Sequence, residues 1–268
     1  MNDLTVTLVQ YDILWRDPKG NRDALAKVLS EFAGRTDLVI LPETFTSGFC
    51  KEAAAEAETM DGPTVKWLKA QAKTLGAAVT GSVQIRDPKA NTVYNRLLWA
   101  DPGGTLSHYD KRHLFRMAKE QETYAPGKDR LSVELKGWRV CPLVCYDLRF
   151  PVFARNRFGV DAPGRFDYDL LIFVANWPAA RRYSWQSLLR ARAIENLAYV
   201  AAVNRAGKDG NRIEYAGDSV LLDMLGLPVA ELGEGAKTFT TILSAKALEE
   251  HRSRFPAQLD ADRFTINE

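Results

Sequence analysis

Short apolar runs rich in branched residues recur along the chain at 38–41, 77–83, 140–145, 169–175 and 198–203, each of strand length and without a polar face. Runs of this kind suit strands covered on both sides. Between them the spacing turns helical. Residues 21–32 place Ala24, Leu25, Val28, Leu29 and Phe32 on one stripe, and Val65, Leu68, Ala72 and Leu75 repeat it after Gly62-Pro63. A third helix is predicted over 185–197. Strands that alternate with helices dictate an α/β fold.

Hairpin signals are laid over this alternation. Asp101-Pro102-Gly103-Gly104 separates strand-like runs at 91–99 and 105–110, and Lys136-Gly137-Trp138 separates 131–135 from 139–143. Residues 219–223 and 238–243 read as a third arrangement of the same kind. Parallel units mixed with hairpins predict two mixed sheets facing each other with helices outside. No Gly- or Ser-rich linker divides the 268 residues, so a single domain is expected over 1–250. The charged tail 251–268, with only Phe255, Leu259, Phe264 and Ile266 as apolar anchors, is expected to pack on the body or on a partner subunit.

Charge and cysteine usage exclude several classes. The 36 basic and 34 acidic residues alternate in sign, which leaves no cationic stripe for nucleic acid. No apolar run approaches the roughly 20 residues that span a bilayer. Met1-Asn2-Asp3-Leu4 leads straight into an alternating run at 4–9, without a secretory signature. Three cysteines, Cys50, Cys141 and Cys145, are too sparse for a disulfide framework. Motifs of the H-E-x-x-H or C-x-x-C kind are missing. The expectation is a cytoplasmic protein with no metal, no cofactor and no nucleic-acid or membrane partner.

Three residues stand at strand-end boundaries, two of them where apolar runs end. Positions 141, 143 and 145 share one strand face, yet only Cys145 reaches the carboxyl end, where ligand groups gather in open α/β sheets. The bland alternative, a buried thiol with no chemistry, suits Cys141 better. Glu43 follows Val39-Ile40-Leu41-Pro42, and Pro42 stiffens its approach; a strand-end cap is the competing assignment. Lys111 sits in Tyr109-Asp110-Lys111-Arg112-His113-Leu114-Phe115. An ammonium beside Cys145 would lower the thiol pKa and stabilise an oxyanion. From the residues alone, a Cys145–His113 pair stays open as a rival.

Taken together, Leu41-Pro42-Glu43 with Phe45, the 109–115 segment, and Val144-Cys145-Tyr146-Asp147-Leu148-Arg149-Phe150-Pro151 resemble the carbon-nitrogen hydrolase, or nitrilase, superfamily. Ala175-Asn176-Trp177-Pro178 and Arg190-Ala191-Arg192-Ala193-Ile194-Glu195-Asn196 are similar to later blocks of that family. The resemblance implies a four-layer αββα sandwich. It implies catalytic roles for Glu43, Lys111 and Cys145, with a second glutamate at Glu120 or its neighbour Glu122, and it makes His113 a structural residue. Gly127 of Ala125-Pro126-Gly127 matches the turn after that loop. Lys111 and the backbone N–H of Tyr146 would hold the oxyanion of an acyl-transfer reaction through Cys145.

Within the superfamily the chain is most similar to omega-amidases, which hydrolyse the distal amide of dicarboxylate monoamides such as 2-oxoglutaramate, 2-oxosuccinamate and succinamate. Phe45, Phe115, Tyr146, Phe150 and Trp177 are expected to form an apolar wall. Arg149, Arg181 and Arg182 are candidates to bind the substrate carboxylate, which cannot be buried unpaired. Two alternatives stand: another amidase or N-carbamoyl amino acid hydrolase of the same architecture, and a catalytically silent binding or assembly protein. The resemblance also implies a homodimer, with the 185–197 helix as a contact element.

Overall fold

Strand β1 (Leu4–Gln10) shows how the layers arise: Leu4, Val6 and Leu8 point into one core and Val9 into another, so the strand is covered on both faces. Alternate side chains of a strand face opposite ways. β2 (Leu38–Ile40) repeats the division, with Leu38 and Ile40 in the first core and Val39 in the second. The computed structural model describes residues 1–160 and 162–266. β3 (Ala78–Asp87), β4 (Thr92–Ala100) and β5 (Leu106–Asp110) extend this sheet, and β14 (Lys237–Leu243) pairs antiparallel with β1 at its other edge.

The second sheet contains β6 (Val133–Leu135), β7 (Trp138–Val144), β8 (Leu170–Ala175), β9 (Tyr199–Asn204), β12 (Val220–Leu222) and β13 (Pro228–Glu231). A two-stranded ribbon, β10 (Ala206–Lys208) with β11 (Glu214–Ala216), stands apart. The inner core joins Val6, Leu8 and Trp99 of the first sheet to Val140, Ile172 and Val200 of the second. Helices α1 (Pro18–Leu29) and α2 (Pro63–Leu75) cover the first sheet through Leu25, Leu29, Leu68 and Leu75. α4 (Arg182–Asn196) packs Trp185, Leu189 and Ala193 on the second. The architecture is the four-layer αββα sandwich that the resemblance implied.

Local chemistry sets the helix ends. Asp17 caps α1 by accepting from the Gly20 N–H at 2.8 Å, so the helix begins at Pro18, one turn before its apolar stripe. α2 starts on Pro63 and stops at Gly76, whose φ of 66° is the left-handed conformation that ends helices. α3 (Pro151–Ala154) is a single turn, and α5 (Ala245–Arg254) runs across positions 250 and 251, where the body and tail were expected to divide. Among the described residues, no helix is long and apolar enough to cross a membrane.

The hairpins at 91–110 and 131–143 form as predicted, as β4–β5 and β6–β7. The third does not. β12 turns back on β13, while β14 crosses to the other sheet and pairs with β1, where the hydroxyls of Thr7 and Thr240 meet at 2.8 Å. A turn closer in sequence takes precedence: the Asp223 carboxylate accepts from the N–H groups of Leu225 and Leu227, and Gly226 supplies a φ of 73°.

Strand direction places the site. β5 is antiparallel to β4, which is antiparallel to β3, so β2, β3 and β5 all run the same way. In the second sheet β7, β8 and β9 are parallel. Glu43 and Lys111 follow β2 and β5, and Cys145 and Asn176 follow β7 and β8 directly. Their side chains converge on one pocket between the carboxyl edges of the two sheets.

Candidate active site

Lys111 is the hub of a buried array. Its Nζ lies 2.9 Å from Glu43 Oε1 and 2.9 and 3.0 Å from the two oxygens of Glu120. None of the three side chains is more than 1% exposed. Burial works against the ammonium, but the Glu120 and Glu43 carboxylates outweigh it and hold the Lys111 pKa well above its ordinary value. Burial pushes the Glu120 carboxyl up, with Lys111 opposing and Glu43 adding to the rise. Of the two glutamates left open by the sequence, Glu120 belongs to the array; Glu122 is exposed and pairs loosely with Lys51 and Lys119.

Each member is fixed from behind. The Lys111 N–H donates to Asn95 O at 3.0 Å, and Lys111 O accepts from the Gly127 N–H at 3.0 Å. A Cβ on Gly127 would stand 2.0 Å from Asp110 O, so only glycine lets this loop close on the end of β5. Glu43 Oε2 accepts from the Asn176 N–H at 2.8 Å, while Asn176 Nδ2 donates to Glu43 O at 2.7 Å. Glu120 Oε2 accepts from the Phe115 N–H at 2.6 Å.

Cys145 opens a short 3-10 turn, Cys145–Arg149, directly after β7, with φ at 46°. A side chain in the left-handed region costs energy, and such positions cluster where a group must be aimed. Asp147 braces the turn. Its buried carboxylate accepts from the Val144 and His113 N–H groups at 3.0 and 3.1 Å and from the Tyr109 hydroxyl at 2.8 Å. The His113 ring meets Asp147 Oδ1 at 2.8 Å and stacks on Phe150 at 3.7 Å, away from the thiol. His113 is thus a structural partner of the turn, and it is not among the residues that line the pocket with Cys145.

The thiol is partly exposed to the pocket it shares with Glu43 and Lys111. Burial by the surrounding protein pushes its pKa well above the ordinary value, and the Glu43 carboxylate adds to the rise. Lys111 pulls downward, as the sequence predicted, but does not offset the other two. The expected lowering of the thiol pKa is therefore corrected to a rise, which agrees with a thiol whose proton Glu43 must take, and a nucleophile of this kind needs a base in contact with it.

The pocket is narrow, with a cavity volume of about 80 Å³. Phe49, Phe115, Tyr146, Trp177, Ile213 and Tyr215 form its apolar wall, and Arg149 and Arg181 line it as well. The Arg149 guanidinium lies 4.9 Å from the Trp177 ring centre and donates to Ser184 Oγ; Arg181 lies 5.2 Å from that of Phe115.

Three sequence candidates lie outside the pocket. Phe45 is fully buried in the outer core, 5.9 Å from Trp67, because Thr44 turns the chain with a φ of 42° immediately after Glu43. Phe150 stands behind the wall, sandwiched between His113 and the edge of Tyr146. Arg182 is tied to Asp218 by two hydrogen bonds and to Glu234 by a third. Asn95, Asn176 and Asp147 were missed as site residues. For Asn95 the signal was present: it shares a strand face with Val93, Leu97 and Trp99, and an amide on an otherwise apolar face calls for a partner. Among the described residues, no group of three His, Cys, Asp or Glu side chains is placed to hold a metal ion.

Comparison with known proteins shows the family. The carbon-nitrogen hydrolase family model matches residues 5–252. The omega-amidase YafV of Escherichia coli (strain K12) is 46% identical over 99% of this chain and 100% of its own length. The 2-oxoglutaramate amidase of Bacillus subtilis (strain 168) is 35% identical, over 85% of this chain and 86% of its own. A CN-hydrolase superfamily protein of Xanthomonas campestris, solved with an arsenic adduct in its active site, superposes with a TM-score of 0.98 at 60% identity, each chain covered completely. By its match to the family model and its full-length likeness to these relatives, in sequence and in fold, the chain belongs to the carbon-nitrogen hydrolase family.

Proposed function

We propose that the chain is an omega-amidase: it hydrolyses the distal amide of a dicarboxylate monoamide, of the 2-oxoglutaramate, 2-oxosuccinamate or succinamate kind, through a thioester at Cys145. One observation carries the substrate class. Arg149 and Arg181 line the same narrow apolar pocket as the thiol, and neither has a carboxylate partner among the described residues. A substrate carboxylate supplies that partner, and guanidinium groups match it with paired donors. The names of the relatives at 46% and 35% identity support the same class.

The chemistry follows from protonation states. The thiol is protonated at rest, so Glu43 takes its proton as sulfur attacks the amide carbon. An ammonium has three N–H donors; one goes to Glu43, the two Glu120 oxygens share a second, and the third, with the Tyr146 backbone N–H, serves the oxyanion. Glu43 then returns the proton to the departing nitrogen, ammonia leaves, and the acyl group stays on sulfur. Water gives a proton to Glu43, attacks the thioester and releases the dicarboxylate, and Glu43 reprotonates the thiolate. Glu120 holds Lys111 in place throughout. The setting in this reading is the cytoplasm, and a homodimer formed through α4 is supported by exposed Tyr183 and Ile194 on that helix.

Ammonia release from a panel of amides tests the assignment. Succinamate and 2-oxoglutaramate are expected to exceed butyramide, which lacks the carboxylate, by about 100-fold or more in kcat/KM. Arg181→Ala should lower kcat/KM on succinamate by about 10–100-fold, the worth of a charge-assisted hydrogen bond, and leave butyramide nearly unchanged. Equal rates across the panel, or equal losses on both substrates, would count against the carboxylate site.

A further inference from the structure

Asn95 touches three members of the array at once. Its Nδ2 lies 2.8 Å from Glu43 Oε1 and 3.4 Å from Glu120 Oε1, and its main-chain carbonyl accepts from the Lys111 N–H at 3.0 Å. It stands on β4, 1% exposed, between Val93 and Leu97 on the inward face. We propose that Asn95 is a positioning residue for amide hydrolysis, a neutral donor that holds Glu43 and Glu120 together around Lys111 and keeps Glu43 free to accept the Cys145 proton. The proposal rests on the hydrolytic roles assigned above to Glu43 and Cys145.

The orientation of the amide is the first argument. Two carboxylate oxygens on one side require the amino end there, since a flipped amide would set Oδ1 against both of them. Among the described residues, no donor reaches its buried Oδ1. An asparagine serving only to stabilise the strand would be placed with both ends paired, because an orphaned buried acceptor is costly. The amino end, aimed at both carboxylates, is the part that the array engages.

Charge is the second argument. With both glutamates ionised, the array holds two negative groups and one positive, none more than 1% exposed. Of the other titratable groups that face it, Cys145 after β7, Tyr124 after the Glu120 turn and Tyr215 of β11 bring no positive charge. Arg149 and Arg181 line the pocket, Arg205 stacks on Tyr215, and on β4 itself Arg96 is paired with Asp110 of β5. A neutral N–H donor eases the repulsion between the carboxylates without adding a proton that can be lost. It also relieves Lys111 of being the sole bridge between them, so one ammonium donor stays available to the pocket.

Asn95→Leu removes the donor at similar volume, and Asn95→Asp, which is isosteric, replaces the donor with an acceptor. The test is the rate of Cys145 alkylation by iodoacetamide against pH, read by peptide mapping, beside kcat and KM for succinamate on the same preparations. Losing the donor favours proton uptake by the glutamate pair. The acid limb of the alkylation profile is therefore expected to move to higher pH by about one unit or more in Asn95→Leu and further in Asn95→Asp, with kcat reduced and KM little changed. A folded variant whose alkylation profile overlays that of the wild type overturns the proposal, even if its melting temperature falls; should the leucine variant not fold, the aspartate variant decides alone. Alkylation needs no amide substrate, so a shifted profile in a protein that fails to cleave succinamate would reject the substrate assignment and leave the role of Asn95 standing.

Discussion

Cys145→Ala is expected to lower kcat for amide hydrolysis by about 10⁴-fold or more, the scale seen when a nucleophile is removed from a covalent mechanism. Its far-ultraviolet circular dichroism should stay that of the wild type. The turn around position 145 is held by Asp147, through the Val144 and His113 N–H groups and the Tyr109 hydroxyl, and not by the thiol. Neither of the other cysteines is placed to substitute. Cys141 is buried within β7, and burial pushes its thiol up to about 12. Cys50 is buried beside Glu52, which, after burial itself, also raises its pKa. Cys141→Ala serves as the control, with packing disturbed and ammonia release retained. Substantial ammonia release by Cys145→Ala would contradict the nucleophile assignment.

Lys111→Met carries the second large effect, and it falls on stability as well as rate. Removing the ammonium leaves Glu43 and Glu120 facing each other with no cation between them. Breaking a buried ion pair by deleting one partner costs about 3–5 kcal/mol. Turnover should fall by about 10³-fold or more, because an oxyanion donor is lost along with the ordering of the base. The stability loss has a definite pH sign. The Glu120 pKa is raised in the folded protein relative to its ordinary value, so the proton it binds stabilises the fold fully below that ordinary value and ceases to do so as pH rises through the folded pKa. Without Lys111, which opposes the rise, the window extends further upward. The variant should therefore recover part of its deficit against the wild type at about pH 5 compared with about pH 8. Denaturant melts at both values check this; a deficit independent of pH would show that the two carboxylates are not repelling.

The placement of the reacting groups is legible in the sequence because it is a strand-end property. Glu43 and Cys145 follow apolar runs and Lys111 follows the end of β5, and strands that run the same way within each sheet deliver such residues to one edge. What lies one residue further on is not legible in the same way. Phe45 follows Glu43 by two positions, yet the left-handed Thr44 sends it to the outer core against Trp67. Arg181 and Arg182 are neighbours, but the first precedes α4 and lines the pocket while the second begins the helix and turns to Asp218 and Glu234. Backbone dihedrals decide both cases, and residue type alone does not encode them.

Long-range pairing was the other blind spot. The run 238–243 alternates like a hairpin partner, and only the assembled sheet shows that its mate is β1, at the far end of the chain. The upward direction of the thiol pKa was not legible for a related reason. Lys111 was visible as a nearby cation, whereas the burial and the Glu43 contact that outweigh it are properties of the folded pocket. Asn95 carries no motif of its own and Asn176 only a place in the 175–178 block, and what each holds is set by what the fold brings against it.

The most direct test of the mechanism is intact-protein and peptide mass spectrometry after rapid acid quench of the enzyme with succinamate. Succinamate minus ammonia should appear as a mass increment on the peptide that contains Cys145 within the first turnover, and disappear when substrate is exhausted. Steady ammonia release with no such increment, or an increment on any other residue, would contradict a thioester at Cys145.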